Sequence, residues 1–217
     1  MPDLSFEIMG ASPARDMLTP ALSFDLGIAN RFPEQSIHTV LLRCQIQIEV
    51  ARRRYTAAEQ SHLRELFDDP SRWSDTLRPM TWAITSVNVP AFRGSTTHSL
   101  AVPCSFDLTV ATAKYFHGID DGEVPLTFLF SGTVFFHDGS GALQVAPISW
   151  NKEARFRLPV QTWNQLMDLH YPNAAVLQLR RDVFQELNRF RMTSGFATFD
   201  ETIQSMLALA ERERPAS

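Results

Sequence analysis

The chain has 217 residues, of which 44% are hydrophobic and 20% are charged. These fractions are typical of globular domains and exclude a disordered chain, a fibrous chain and a disulfide-rich scaffold. The 24 acidic and 20 basic side chains leave a formal net charge of -4, so the clustered basic surface of a nucleic-acid-binding protein is not expected. We predict a single domain over residues 1–217, with a strand-rich core at 1–160 and a helical C-terminal part at 161–211.

The N-terminus and the longest apolar segment predict the compartment. The first residues carry no basic segment before an apolar run, and Asp3 and Glu7 interrupt them early. The longest charge-free apolar run, 124–136, is shorter than the roughly 18 residues that a membrane span needs. We therefore expect a cytoplasmic protein without a membrane span. Its two cysteines, Cys44 and Cys104, are expected to be reduced and buried.

Alternation of apolar and polar residues predicts strands in the first three quarters of the chain. The segments that alternate or read as strands are 4–8, 22–28, 40–50, 80–89, 98–102, 106–110, 124–136, 143–145 and 156–160. The segment 126–130 is apolar on both faces and is expected at the centre of a sheet or between a sheet and a helix. The turn at 137–141 contains the glycines that a hairpin requires.

Capping residues and a change of period predict the helices. Thr56–Glu59 has the form of a capping box, and the helix that it begins should end at Pro70. Beyond residue 161 we expect a short helix around 163–167, a longer one that opens at Pro172–Asn173, and a final one capped by Thr198. Together the elements predict an α+β fold, with an antiparallel β-sandwich or strongly curved sheet, one inserted helix and C-terminal helices.

Few residues are arranged as a catalytic site would require. The sequence has no GxSxG motif, no glycine-rich phosphate-binding loop and no HExxH or CxxC spacing. Histidine and carboxylate come together only at two turns, His117 with Asp121 and His137 with Asp138, which leaves a metal-dependent enzyme as an alternative. Both turns contain glycine, and Asp and His are common in turns for backbone reasons. We predict no catalytic residues and no cofactor.

The densest cluster of charge is Arg52–Arg54, followed by Tyr55. A nucleic-acid site would need more cations on the same face, with aromatic residues between them. We expect a solvated strand end that pairs with Glu59 or with Asp68–Asp69. An anionic partner surface is the alternative.

The aromatic content points to contacts with other proteins. Sixteen residues are phenylalanine, and four of them lie in one predicted strand whose two faces both need cover. Either the terminal helices or another chain could provide that cover, and excess apolar surface marks interaction sites. We expect a protein partner or a homo-oligomer, with core packing as the alternative role of each candidate contact residue. The candidates, chosen as anchors of the type that dominate interfaces, are Phe135, Phe136, Trp150, Trp163 and Tyr171.

Seven strings resemble a bacterial protein family of unknown function. They are LRCQIQIE, RRRYT, LRPMTW, VPAFRGST, AKYFHGIDDGEVPLTFLFSGTVF, ISWNKEARFRLPV and MDLHYPN. Members of that family tend to be encoded near nickel-iron hydrogenase genes, so the resemblance implies an accessory or structural partner of that machinery. It assigns no role to any residue.

The first fifty residues also resemble the SecB export chaperone. The resemblance rests on Leu4–Glu7, a spacer that contains proline, and the paired alternating strands that follow. By analogy of fold it implies peptide binding. Our main prediction is a non-enzymatic interaction or accessory protein, and the resemblance implies an assembly or structural partner of a hydrogenase-type redox complex. A SecB-like chaperone and a metal-dependent enzyme are the alternatives.

Overall fold

A computed structural model describes residues 1–104, 110–174, 177 and 179–212. The strands are β1 (Leu4–Pro13), β2 (Ala21–Asn30), β3 (Ile37–Ile48), β4 (Met80–Val89), β5 (Ser95–Pro103), β6 (Glu123–His137), β7 (Leu143–Pro147) and β8 (Glu153–Pro159). The α-helices are α1 (Ala57–His62), α2 (Arg64–Phe67), α3 (Trp73–Thr76), α4 (Val110–His117), α5 (Val160–His170), α6 (Arg181–Ser194) and α7 (Phe199–Arg212), and Val50–Arg52 and Pro70–Arg72 form 3-10 turns. Every helix within the described residues is too short or too polar to span a bilayer.

Two antiparallel sheets form most of the first of two compact units, Met1–Ala174. The smaller sheet has the order β1-β2-β5, and the larger has the order β4-β3-β6-β7, with β8 also paired to β6. Along β6, β8 pairs with Glu123–Leu129 and β7 pairs with Thr133–His137. The predicted α+β class with antiparallel sheets is confirmed, and so is the central place of the segment 126–130.

Aromatic contacts join the inner faces of the two sheets. The ring of Phe24 in β2 makes edge contacts with Trp82, Phe128 and Phe156, at centroid distances of 6.2, 5.1 and 6.0 Å. Phe6 of β1 stacks on Phe130 of β6 at 4.3 Å. Because these large side chains lose most of their contact with water, they provide much of the hydrophobic stabilisation of the sandwich.

Two helices complete this core, and one of them differs from the sequence prediction. Phe116 of α4 stacks on Trp163 of α5 with ring centroids 4.2 Å apart, and both rings contact Trp82. The strand expected at 106–110 lies mostly outside the described residues, but Val110 begins α4 and is not a strand residue. Val160, expected to close the last strand, begins α5.

The inserted helical segment begins as predicted and then breaks into short pieces. Thr56 accepts a hydrogen bond from the Glu59 amide, and the Glu59 carboxylate accepts one from the Thr56 amide, which confirms the capping box. The helix ends at His62, and Pro70 begins a 3-10 turn.

The second compact unit, Ala175–Ser217, contains α6 and α7. The rings of Phe184 and Phe199 lie 5.5 Å apart and join the two helices. Thr198 caps α7 as predicted, since its hydroxyl accepts a hydrogen bond from the Glu201 amide. The predicted helix start at Pro172–Asn173 is wrong, because Asn173 has a φ of 55° in a turn and α6 begins at Arg181. That the chain forms a single domain stays a prediction.

Candidate interaction surface

A glycine in β6 lies at the point where β7 and β8 separate. Gly132 has a φ of 137°, and a Cβ atom there would lie 2.0 Å from the carbonyl oxygen of Leu41, so the position requires glycine. The amide of Ile148 donates to the carbonyl of Gly132 itself. Two residues earlier in β6, the amide of Phe130 donates to the Lys152 carbonyl, and both bonds are 2.9 Å long. The chain between these bonds leaves the sheet as a loop, and Trp150 in that loop is 93% exposed.

The outer face of the larger sheet has an apolar half beside β7. Strand register places Thr39, Phe135 and Val145 in one row across β3, β6 and β7, and Leu41, Thr133 and Pro147 in the next. We call the following six residues the apolar half: Leu41, Thr133, Phe135, Leu143, Val145 and Pro147. Leu41, Leu143 and Val145 are 49%, 52% and 61% exposed, so this surface is open to solvent.

The other half of the same face, beside β8, is charged. Glu153 and Arg155 form an ion pair with their atoms 3.1 Å apart, and Arg157 lies 3.8 Å from Glu123. All of these side chains are well exposed. One sheet face therefore presents two kinds of surface on the two sides of Gly132.

Strand β7 is also an open sheet edge. At the other edges, β1 lies against β8, and β4 lies against β5, where the Thr85 hydroxyl donates to the Ala101 carbonyl at 3.2 Å. In the described part of the chain β7 pairs with β6 on one side and with no strand on the other. An open edge leaves main-chain amides and carbonyls available to a further strand.

The five predicted contact residues have different surroundings. Trp163 is 1% exposed and Phe136 is 8% exposed, so both pack in the core of this structure. Tyr171 is half-buried at the end of α5. Phe135 is half-buried within the apolar half, and Trp150 is fully open to solvent. Of the five, Phe135 and Trp150 lie where a partner could reach them most readily.

Sequence reasoning missed Leu41, Leu143 and Val145 as surface residues. A signal for Leu41 was present, because it is an apolar residue on the polar side of the otherwise regular alternation at 40–50. Leu143 and Val145 alternate with Gln144, but alternation alone does not tell which face of a strand is covered.

The four candidate metal ligands lie at opposite ends of β6. His117 and Asp121 precede the strand, whereas His137 ends it and Asp138 follows. A strand of this length separates the two pairs by on the order of 40 Å, so the four cannot share an ion. In the described ranges, no group of three or more His, Cys, Asp or Glu side chains is arranged so that it could hold a metal ion.

The Asp138 side chain stabilises the hairpin turn that contains it. Its carboxylate accepts hydrogen bonds from the amides of Ser140 and Ala142 and from the side chains of Ser140 and Gln144. These bonds, led by those from Ser140, lower the pKa of the Asp138 carboxyl. The turn chemistry explains this residue without a ligand.

Both cysteines are free and buried, as predicted. Burial raises the pKa of the Cys44 thiol to about 12 and that of the Cys104 thiol to about 12. A thiol nucleophile must be deprotonated and accessible, and neither condition holds for these two residues.

Arg53 is buried, contrary to the solvated strand end that the sequence suggested. Its guanidinium donates to the Glu59 carboxylate at 2.5 Å and to the carbonyls of Asp121 and Glu123 at 2.6 and 2.8 Å. The expected pairing with Glu59 is therefore present. Only 8% of the Arg53 side chain and 3% of the Glu59 side chain are exposed.

Two tyrosines extend this buried polar network. The hydroxyls of Tyr55 and Tyr115 lie 3.1 Å apart, and that of Tyr55 also donates to the Val50 carbonyl at 2.8 Å. Burial raises the pKa of Tyr55 and that of Tyr115, so both hydroxyls stay protonated. The Arg53 hydrogen bonds join the start of β6 to α1, and the Tyr55–Tyr115 contact joins the segment before α1 to α4, so these residues have a structural role.

The family model described as a family of unknown function (DUF6084) matches residues 1–215. A search of curated proteins finds no match. Among solved structures, the CARDB domain of a Pyrococcus furiosus protein, in complex with di-metal ions, is 10% identical with a TM-score of 0.28, covering 73% of this chain and 92% of that one. A putative late embryogenesis abundant protein is 13% identical with a TM-score of 0.32 and 73% of each chain covered. A Thermotoga neapolitana beta-glucosidase, in complex with glucose, is 11% identical with a TM-score of 0.27, covering 72% of this chain and 17% of that one.

Proposed function

The chain belongs to this family of unknown function, and we propose that it is a non-enzymatic protein that binds a protein partner through the apolar half of its larger sheet. The observation that carries the proposal is the exposure of that surface. Leu41, Leu143 and Val145 form an exposed apolar surface next to an open strand edge, while the opposite half of the face is charged. Surfaces of this kind lower their free energy when a partner covers them.

The absence of ionised side chains from the apolar half restricts the chemistry of the partner. None of the six side chains of the apolar half is ionised, and Trp150 on the neighbouring loop adds an exposed indole. Aromatic and aliphatic anchors of this type bind apolar, uncharged protein surfaces. We propose that the partner belongs to a hydrogenase-type redox complex, as the resemblance of the sequence implies, and that the protein works in the cytoplasm.

Co-purification from the organism that encodes the protein tests this proposal. The tagged chain should recover subunits of a redox enzyme, identified by mass spectrometry. A Leu41→Glu variant should recover at least about tenfold less, because it places a charge in the contact. Met9→Glu is the matched control, since Met9 is a 53% exposed apolar residue on the smaller sheet.

Two outcomes would overturn the proposal. One is the recovery of no redox-enzyme subunit by the native chain. The other is equal recovery by Leu41→Glu and Met9→Glu, with both variants folded by circular dichroism.

The SecB-like alternative remains a separate prediction. It requires a tetramer that suppresses the aggregation of an unfolded client, which light scattering measures. Accessory binding through the apolar half requires neither property.

A further inference from the structure

We propose that β7 pairs with β7 of a second copy of this chain, antiparallel and centred on Val145. The proposal rests on the proposed function in one respect: it places the second copy at the edge of the same apolar half. It adds that the binding surface is a continuous face contributed by two copies.

Hydrogen bonds at the two ends of β7 show which of its main-chain groups are available. The Asp138 amide donates to the Ala142 carbonyl at 3.0 Å, and the Ile148 amide donates to the Gly132 carbonyl at 2.9 Å. In an antiparallel pair, residues that bond to the neighbour alternate with residues that do not. Positions 144 and 146 therefore bond to β6, whereas Leu143, Val145 and Pro147 direct their main-chain polar groups away from it.

This edge is complementary to itself. In a symmetric pair centred on Val145, the two copies of Val145 exchange both of their main-chain hydrogen bonds. The Leu143 amide of each copy then faces the Pro147 carbonyl of the other. Proline has no amide hydrogen, but in this register each Pro147 still serves as an acceptor. No residue of β7 is ionised, so the symmetric arrangement brings no like charges together.

The interface that β7 provides is small. A protein interface of standard size buries about 800 Å² per partner, and a strand of five residues buries less than that. We therefore expect a weak, reversible dimer.

Pairing at this edge doubles the candidate binding surface. The outer faces of the two larger sheets become continuous across β7, and the apolar halves meet at the symmetry axis. The partner in the proposed function then meets one larger apolar face.

Cysteine substitution tests the register directly. Two Val145 positions in a hydrogen-bonded antiparallel pair have Cα atoms about 5.5 Å apart, within the range of a disulfide. With oxidised glutathione, Val145→Cys should form an intermolecular disulfide, as two thiols lose two protons and two electrons and the glutathione disulfide is reduced to two thiols. Cys44 and Cys104 are buried and should not react.

Gln144→Cys is the matched control. Residue 144 is also exposed, but in the proposed register its two copies lie two residues apart along the strands, about 8 Å, and beyond disulfide reach. We expect most of the Val145→Cys variant to migrate as a disulfide-linked dimer on a denaturing, non-reducing gel. The Gln144→Cys variant should form no disulfide-linked dimer. Equal crosslinking of the two variants, or none in either, would overturn the proposal.

Sedimentation measures the same dimer without a covalent bond. Val145→Pro removes the amide hydrogen that faces away from β6, so it should shift the monomer–dimer midpoint at least tenfold higher in concentration while the chain still folds. Val145→Thr keeps that amide and should shift the midpoint much less. A native chain that is monomeric at every concentration would overturn the dimer but not the proposed function, which Leu41→Glu tests through recovery of the redox partner.

Discussion

Replacing Glu59 by glutamine should cost a large part of the stability of the protein. The Glu59 carboxylate accepts hydrogen bonds from the Thr56 amide at 2.8 Å, from the Asp120 amide at 3.1 Å and from buried Arg53. A glutamine side chain has one acceptor oxygen and directs an NH2 group at the remaining donors. Arg53 would stay buried without its counter-charge, and removing one partner of a buried ion pair costs about 3–5 kcal/mol.

The expected loss is measurable as a change in Tm. For a chain of this size, 1 kcal/mol shifts Tm by about 2–4 °C, so Glu59→Gln should lower it by about 6–20 °C. Glu65→Gln is the control, because Glu65 pairs with Lys114 on the surface and such pairs contribute at most about 1 kcal/mol. Thermal unfolding at pH 7, followed by circular dichroism, gives both values. Equal shifts in the two variants would refute the assignment of Arg53 and Glu59 as a buried stabilising pair.

The pH dependence of Glu59 provides a second measurement. Burial alone would raise the pKa of its carboxyl, but the hydrogen bonds from Thr56, Arg53 and Asp120 outweigh burial and hold that pKa below its ordinary value. A lowered folded-state pKa contributes stability that is present above the unfolded pKa and is lost as the pH falls through the folded pKa. The difference in Tm between the native chain and Glu59→Gln should therefore be constant above about pH 5 and narrow under more acidic conditions. A difference in Tm that grows as the pH falls below about 5 would contradict this reasoning.

Two further predictions concern the core. Gly132→Ala should lower the free energy of unfolding, measured in urea, by at least about 2 kcal/mol, because the new Cβ would meet the Leu41 carbonyl in a backbone conformation that favours glycine. Gly139→Ala has open space around the new atom and should change the free energy of unfolding by no more than about 0.5 kcal/mol. A thiol reagent at pH 8 should label neither Cys44 nor Cys104 until the chain unfolds, since burial holds the pKa of each thiol at about 12, and rapid labelling of the folded protein would contradict their burial.

Alternation of side chains predicted most strands because it reflects local backbone geometry. In β3, every second residue from Val40 to Ile48 is apolar, and these five residues lie on one face and are buried, as their spacing indicated. The same spacing could not tell whether the outer face is covered. That depends on which elements lie over it, and this information is not local. Leu41 and Val145 therefore became recognisable as surface residues only in the folded chain.

Residue type was a poor guide to the contact residues for a similar reason. Trp150 and Trp163 are both interface-type anchors in the sequence, yet one is 93% and the other 1% exposed. Trp150 lies in the loop between β7 and β8, whereas Trp163 lies in α5 and stacks on Phe116. Arg53 shows the converse, since its charge indicated solvent but carbonyls about 70 residues away in sequence bind it in the interior.

The two ends of β6 have different surroundings, one enclosed by contacts within the chain and the other beside an exposed strand edge. Near Glu123, the strand is joined to α1 through Arg53, which donates to the Glu123 carbonyl and to the Glu59 carboxylate. Near His137, its neighbour β7 keeps an edge of main-chain groups and the side chains of Leu143 and Val145 exposed to water. Gly132 lies between the two regions, at the point where β8 gives way to β7 as the neighbour of β6. Because the first end is anchored by its own contacts, we expect a chain bound at the second end to change the solvent exposure of β7 and to leave the Arg53 network intact.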